Sequence, residues 1–309
     1  MSQAIKKVVA AVLLEESKKD KDIVVLCSDS RGSAALGPYA EERAEQFVEV
    51  GIAEQDLVGI SAGLAACGKR PFAVSPASFL STRSMEQAKV DVAYSHTNVK
   101  LIGISGGVSY GALGMTHHSA TDIADMASIP GLRVYLPSDQ YLARALMGVM
   151  VKDNDPAYIR FGRNAVEDVY AGEFKDFTLD KAITVKEGSD LTIIACGETV
   201  YEAKKAAEAL EKDGLHARVL DMYCIKPLDK EAVLKAAQET KAILTVEEHT
   251  IYGGLGSLVA QVTAAEHPTK VKSLTLPDAP VITGKTPEIF HYYGIDAEGI
   301  AKAARELVK

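Results

Sequence analysis

Apolar, β-branched runs of six or seven residues alternate with helix-like stretches along the whole chain. IVVLCSD (23–29), QFVEVG (46–51), FAVSPA (72–77), VKLIGIS (99–105), LRVYLPS (132–138) and AYIRFG (157–162) are nearly continuous in hydrophobicity, as strands covered on both faces are. Helical patterns lie between them, over 4–18, 53–67, 82–96, 119–127 and 139–152, the last with Ser138 or Asp139 as its N-cap. A charged, turn-rich stretch near 163–188 interrupts the pattern and reads as an interdomain connection. Alternation resumes through LTIIACG, HARVLDMY, AILTVEE and VKSLTLP, with helices near 199–213, 229–240, 254–266 and 296–308. Strands joined by single helices pair in parallel through right-handed crossovers. The pattern predicts an α/β chain of two three-layer domains with mainly parallel sheets, over 1–170 and 171–309.

The net charge of −8 argues against a general nucleic-acid surface, while leaving room for a local basic cluster that holds a small anion. Cys27, Cys67, Cys196 and Cys224 are scattered, without metal spacing, and read as buried reduced thiols in a cytoplasmic protein. Lys6-Lys7 followed by VVAAVLL reads as an amphipathic first helix rather than a leader, since EESKKDKD follows it. No stretch approaches the roughly 18 apolar residues of a membrane span.

Open α/β sheets bind ligands beyond the carboxyl ends of their strands. The residues to inspect are therefore Asp29 to Ser33, Gly51 to Glu54, Ser75 to Phe79, Ser105 to His118 and Arg160 to Arg163. Glu54 opens a helix whose sequence, EQDLVGISAGLAAC, is apolar on most faces. One reading is a helix-dipole carboxylate worth roughly 0.3–1 kcal/mol. The other is a partly desolvated carboxyl suited to sharing a proton with a heterocyclic nitrogen. GISGGVSYGALGMTHHS (103–119) is a glycine-rich loop with His117 and His118 at its rim, and it suits close approach to a small ligand. EEHTIYGGLGSL (247–258) reads as tight packing of a helix on its strand, lacking the spacing of a nucleotide motif. Arg160 and Arg163 face opposite ways in extended chain, one for a buried ion pair and one for an anion. No G-x-S-x-G or Cys/His pairing supports a hydrolase.

Together FVEVGIAEQDLVGISAGLA, FLSTRSMEQ (79–87), the glycine-rich loop ending THHSATDIA, and LRVYLPSD resemble the transketolase family over roughly residues 4–308. The resemblance is to the pyrimidine-binding domain followed by the transketolase C-terminal domain. It implies that Glu54 hydrogen-bonds the aminopyrimidine of thiamine diphosphate and favours the imino tautomer that takes the thiazolium proton. It implies that Phe79 stacks on the pyrimidine, with Asp29, Arg83 and Met85 on the cofactor side. It places Ser33, Ser105, Leu113, His117, Arg163 and Lys6 on the substrate side, His117 near the reacting carbons and Arg163 at a phosphate.

The departures fall on the part that reads sugar hydroxyls. Ser105 stands where relatives carry histidine, Ala112-Leu113 where they carry Glu-Asp, Lys6 for an arginine and Met85 for an aromatic. Lost hydrogen-bonding groups change polar discrimination, so an unusual donor is expected, with an anionic group that need not be phosphate. No G-D-G, the family's diphosphate and Mg²⁺ motif, occurs in the 309 residues. The expectation is a split transketolase whose N-terminal subunit binds the diphosphate and its Mg²⁺ or Ca²⁺, two copies of each chain forming a heterotetramer. Alternatives are a 2-oxo-acid dehydrogenase beta subunit, a deoxyxylulose-phosphate synthase-like enzyme, or a non-catalytic interaction protein on the same fold.

Overall fold

The computed structural model describes residues 2–309. The first part of the chain runs α1 (Ile5–Ser17), β1 (Ile23–Cys27), α2 (Gly37–Glu42), β2 (Phe47–Glu49), α3 (Glu54–Ala66), β3 (Arg70–Pro76), α4 (Ala77–Thr82), the single turn α5 (Met85–Gln87), β4 (Lys100–Ile104), α6 (Asp122–Ala127), β5 (Arg133–Tyr135), α7 (Gln140–Met150) and β6 (Ala157–Arg160). The second part runs β7 (Ile183–Lys186), β8 (Leu191–Ala195), α8 (Thr199–Lys212), β9 (Ala217–Asp221), β10 (Cys224–Lys226), α9 (Lys230–Glu239), β11 (Ile243–Thr250), α10 (Leu255–Glu266), β12 (Val271–Leu276), α11 (Thr286–Tyr293) and α12 (Ala297–Leu307). Apolar residues place these elements. In α1 the buried positions Ile5, Val8, Val9, Val12 and Leu13 recur at helical spacing, and β1, β4 and β6 are buried along their whole length.

The strands form two sheets, as the alternation predicts. One has the order β10-β5-β6-β4-β3-β1-β2 and the other β12-β11-β8-β9-β7. All pairings are parallel except β10 with β5 and β7 with β9. Both exceptions were unforeseen. Strand β7 lies inside the stretch read as a connection, and β10, from beyond residue 170, returns to close the edge of the first sheet. The segment expected as one helix over 82–96 is broken into α4, α5 and a π-helical stretch over Ala88–Tyr94. Cys67 is exposed at the end of α3, contrary to its expected burial, while the other three cysteines are buried. It lies outside any strand, at a helix end that faces solvent.

Asp139 is the cap of α7, as expected: its Oδ1 accepts from the Tyr141 and Leu142 N–H groups. Its Oδ2 accepts from Val169 and Tyr170 at 2.9 Å, tying the interdomain connection to the first sheet. Beside it the fully buried Asp221 accepts from the Ser138 and Tyr170 hydroxyls, and desolvation pushes its carboxyl up to about 7. Among the described residues no helix is long and apolar enough to cross a membrane.

Candidate active site

The loops after β1, β2, β3, β4 and β6 open on the same end of the first sheet, where parallel strands present their carboxyl ends. Glu54 begins α3 after a turn at Gly51, whose φ of +74° favours glycine. Its residue is 5% exposed, so the carboxylate is taken out of water. It is paired with the Arg83 guanidinium, Nη1 to Oε1 2.9 Å. Arg83 in turn lies 3.8 Å over the Phe79 ring.

From Phe79 the contacts continue without a break. Its ring meets His117 edge-on at 5.1 Å, and His117 meets Tyr110 edge-on at 5.4 Å. Arg163 lies 5.0 Å over the Tyr110 ring and donates to the Ser33 hydroxyl at 3.2 Å. Lys6, in the first turn of α1, is close enough to Arg163 to feel its charge; burial first, and then that cation, hold its ammonium below the ordinary lysine range. Six sequence-predicted residues beyond Arg83 thus lie on one line, with a buried carboxylate at one end and two cations with a hydroxyl at the other. Tyr110 completes it, a residue the sequence reading passed over. Its only signal was an aromatic within a glycine-rich loop.

Four expected residues lie off this line. Asp29 is exposed, with a left-handed φ of 48°, and its N–H donates to Glu49 at 2.7 Å. Met85 packs half-buried against the hydrophobic core of the first sheet. Ser105 is buried, at a left-handed φ of 56°, and its hydroxyl has no hydrogen-bond partner among the described residues. Leu113 is half exposed. Of the neighbouring histidines, His118 is buried and pushed below the ordinary histidine range by desolvation, whereas His117 takes part in the line. Arg160 is buried and paired with Asp122 and Glu248 at 3.4 and 3.7 Å, the buried ion pair expected of one of the two arginines.

Two recesses border the line. A smaller one of about 400 Å³ is lined by Ile52, Glu54, Gln55 and Arg83. A larger one of about 1210 Å³ lies between the loops of the two sheets and reaches Tyr110, Leu113 and Arg163. Glu54 lines the smaller recess and Arg163 the larger.

Comparison with known proteins matches residues 1–168 to the transketolase pyrimidine-binding domain and residues 180–300 to the transketolase C-terminal domain. The chain belongs to the transketolase family. It is 53% identical to a subunit of the apulose-4-phosphate transketolase of Phocaeicola vulgatus, over 99% of this chain and 98% of that one. It is 36% identical to the 6-deoxy-6-sulfo-D-fructose transketolase subunit SqwH of a Clostridium species, over 96% of this chain and 92% of that one. A solved structure described as a split gene transketolase, inactive beta4 tetramer, superposes with a TM-score of 0.89 at 33% identity, over 100% of this chain and 99% of that one. Both relatives match this chain in length, and both are transketolase subunits.

The residues fit the aminopyrimidine end of a transketolase's thiamine diphosphate. A buried carboxylate supplies one strong acceptor, Phe79 an aromatic face, and Ile52 an apolar wall to a recess open enough for a single ring. Arg83 now covers the Phe79 face with its side chain 47% exposed, so a ring that stacks there displaces it toward solvent and takes over its hydrogen bond to the buried Glu54.

Proposed function

We propose that this chain is the C-terminal subunit of a split, thiamine diphosphate-dependent transketolase, transferring a two-carbon ketol unit from an anionic ketose donor to an aldose acceptor. The observation that supports this reading is the line of contacts from the buried Glu54 to Arg163 and Ser33, with a carboxylate at one end and a guanidinium beside a hydroxyl at the other. Thiamine diphosphate, when bound, supplies the carbanion chemistry that breaks and remakes the ketose carbon–carbon bond. Glu54 holds a proton at the aminopyrimidine and so sets its tautomer, while Phe79 and Arg83 flank the ring. His117 hydrogen-bonds the substrate oxygens, and its Nδ1 lies 2.9 Å from the Thr116 hydroxyl, which orients the imidazole. Arg163, Ser33 and Lys6 hold the distal anionic group. A planar guanidinium suits phosphate and sulfonate alike, in keeping with the two substrates named for the relatives.

The diphosphate and its Mg²⁺ or Ca²⁺ are held by a partner subunit, with two copies of each chain in the assembly, in the cytoplasm. The relative from P. vulgatus is itself one subunit of its transketolase, which supports a partner, as does the inactivity stated for the beta4 tetramer. The exposed side of α3 is the docking face. Ile60 and Cys67 are exposed with Gly63 between them and Gly59 just before Ile60, and Ile52, Val90 and Tyr94 extend the apolar surface. Small residues let another helix approach closely, and Glu54 lies at the start of this same helix.

The test is to reconstitute both subunits with thiamine diphosphate and Mg²⁺ and to profile donors by product analysis. Apulose 4-phosphate, 6-deoxy-6-sulfofructose, common ketose phosphates and pyruvate make up the panel. Ketol transfer without carbon dioxide release supports the proposal. Decarboxylation of pyruvate as the main reaction supports a 2-oxo-acid enzyme instead.

A further inference from the structure

The loop that carries Tyr110 and His117 belongs to the first domain, but its shape is set from the second. Its neck closes where Gly107 and Ser119 form an antiparallel bridge, with the Ser119 N–H donating to the Gly107 carbonyl at 2.8 Å. Strand β11 of the second sheet ends against this neck on both sides. On one side Glu248 Oε1 accepts the Val108 N–H at 2.8 Å. On the other, the Thr250 N–H donates to the Ala120 carbonyl at 2.9 Å. Farther along the loop, the Gly284 N–H donates to the Gly111 carbonyl at 3.2 Å.

The fit at the neck leaves no slack. Gly107 has a φ of +59°, and a Cβ there would fall 2.2 Å from the Glu248 carboxyl. Arg160 donates to the Glu248 carbonyl at 3.2 Å and lies 3.4 Å from Asp122, so its charge has a second carboxylate partner. Glu248, 2% exposed, is therefore not needed only as a counter-ion. It is the acceptor for the buried Val108 N–H, which has no other acceptor among the described residues.

We propose that Glu248 is a positioning residue of the transketolase reaction: from the C-terminal domain it fixes the neck of the 107–119 loop, and so holds Tyr110 and His117 against the substrate. The proposal rests on the transketolase reading of the site. Burial raises the Glu248 carboxyl, with Arg160 opposing, so a neutral amide of the same length is a fair replacement. Glutamine keeps the Oε1 acceptor. Aspartate falls short of Val108 by about one carbon–carbon bond, ~1.5 Å. Alanine leaves the Val108 N–H buried without an acceptor.

The experiment compares wild type, Glu248→Gln, Glu248→Asp and Glu248→Ala, each assembled with the partner subunit, thiamine diphosphate and Mg²⁺. Glu248→Gln is expected to keep kcat and donor KM within about threefold. Glu248→Asp and Glu248→Ala are expected to lose about 10- to 100-fold in kcat/KM, as one buried unsatisfied donor implies. Thiamine diphosphate affinity, measured by calorimetry, is expected to stay unchanged in all four. Hydrogen exchange is expected to quicken over amides 107–119 in the Asp and Ala variants and nowhere else. Unchanged exchange at the loop in Glu248→Ala overturns the proposal, as does Glu248→Gln losing as much activity as Glu248→Ala. Inactivity of wild type on every donor counts against the transketolase reading alone, because the exchange measurement still decides the clamp.

Discussion

Arg83 and Glu54 form an ion pair of 2.9 Å in which the carboxylate is buried and the arginine is half exposed. The pair is asymmetric in a useful way. The arginine keeps part of its hydration, while the carboxylate is fixed by the first turn of α3 and, out of water, needs a partner for its charge. Glu54 is thus held ready for a stronger hydrogen-bonding partner without being left uncompensated.

Replacing Glu54 by Ala or Gln is therefore expected to separate activity from stability. Turnover of the assembled enzyme falls by roughly 10²- to 10⁴-fold, the usual worth of a positioned proton-transfer group. Thermal stability changes by no more than about 1 kcal/mol, because Arg83 retains its hydration. Steady-state kinetics and a melting curve on the same preparations check both halves.

Arg163 meets both Ser33 and the Tyr110 ring. Arg163→Ala removes charge-assisted hydrogen bonds worth about 1.5–3 kcal/mol. The expected result is a donor KM raised by about 10- to 100-fold for anionic ketoses, with little change for an uncharged ketose. Equal losses on both donors would place Arg163 away from the anion.

Asp221 predicts a pH dependence of stability. Its carboxyl is raised from 3.8 to about 7 by burial, so between those values the folded chain binds the extra proton. Stability from the neutral carboxyl is whole below 3.8 and is lost as pH rises through about 7. Burial raises Glu198 and Glu248 as well, so they act in the same direction. The melting temperature is expected to fall from pH 5 to 8, and Asp221→Asn, which cannot ionise, to flatten that fall. Identical slopes for variant and wild type would remove Asp221 from the account.

Cys67 reports on the docking face. It is exposed at the end of α3, whereas Cys27, Cys196 and Cys224 are buried. An aromatic disulfide reagent is expected to modify one thiol in the isolated chain quickly, and to be slowed severalfold or more once the partner is bound. An unchanged rate in the complex would move the partner off this helix.

Much of the fold was legible because buried parallel strands are written as unbroken apolar runs, as in VKLIGIS and AYIRFG. Strand β10 was not legible. Its three residues carry no period, and its partner β5 is some ninety residues away in sequence, paired by an antiparallel return that no local pattern announces. The short helices α2 and α11 were missed for a similar reason, both being too brief to show a period. Glu54 was legible from the small-residue helix behind it, and the packing junction at 247–258 from its glycines. Glu247 there accepts from the Leu255 and Gly256 N–H groups at the start of α10. Glu248, its neighbour, gave no sign of its partner, because the Val108 N–H is 140 residues away and a side chain reaching a distant backbone leaves no trace in sequence. Tyr110 was hidden in the same way, its contacts to His117 and Arg163 existing only once the loop is folded.

A chain that supplies one half of a shared active site depends on its partner for every turnover. Titrating the purified partner subunit into a fixed amount of this chain, with thiamine diphosphate, Mg²⁺ and a donor–acceptor pair present, tests that dependence most directly. Ketol transfer is predicted to be absent from this chain alone, to rise linearly with added partner and to level off at equal amounts of the two. Turnover by this chain without any partner would contradict the account.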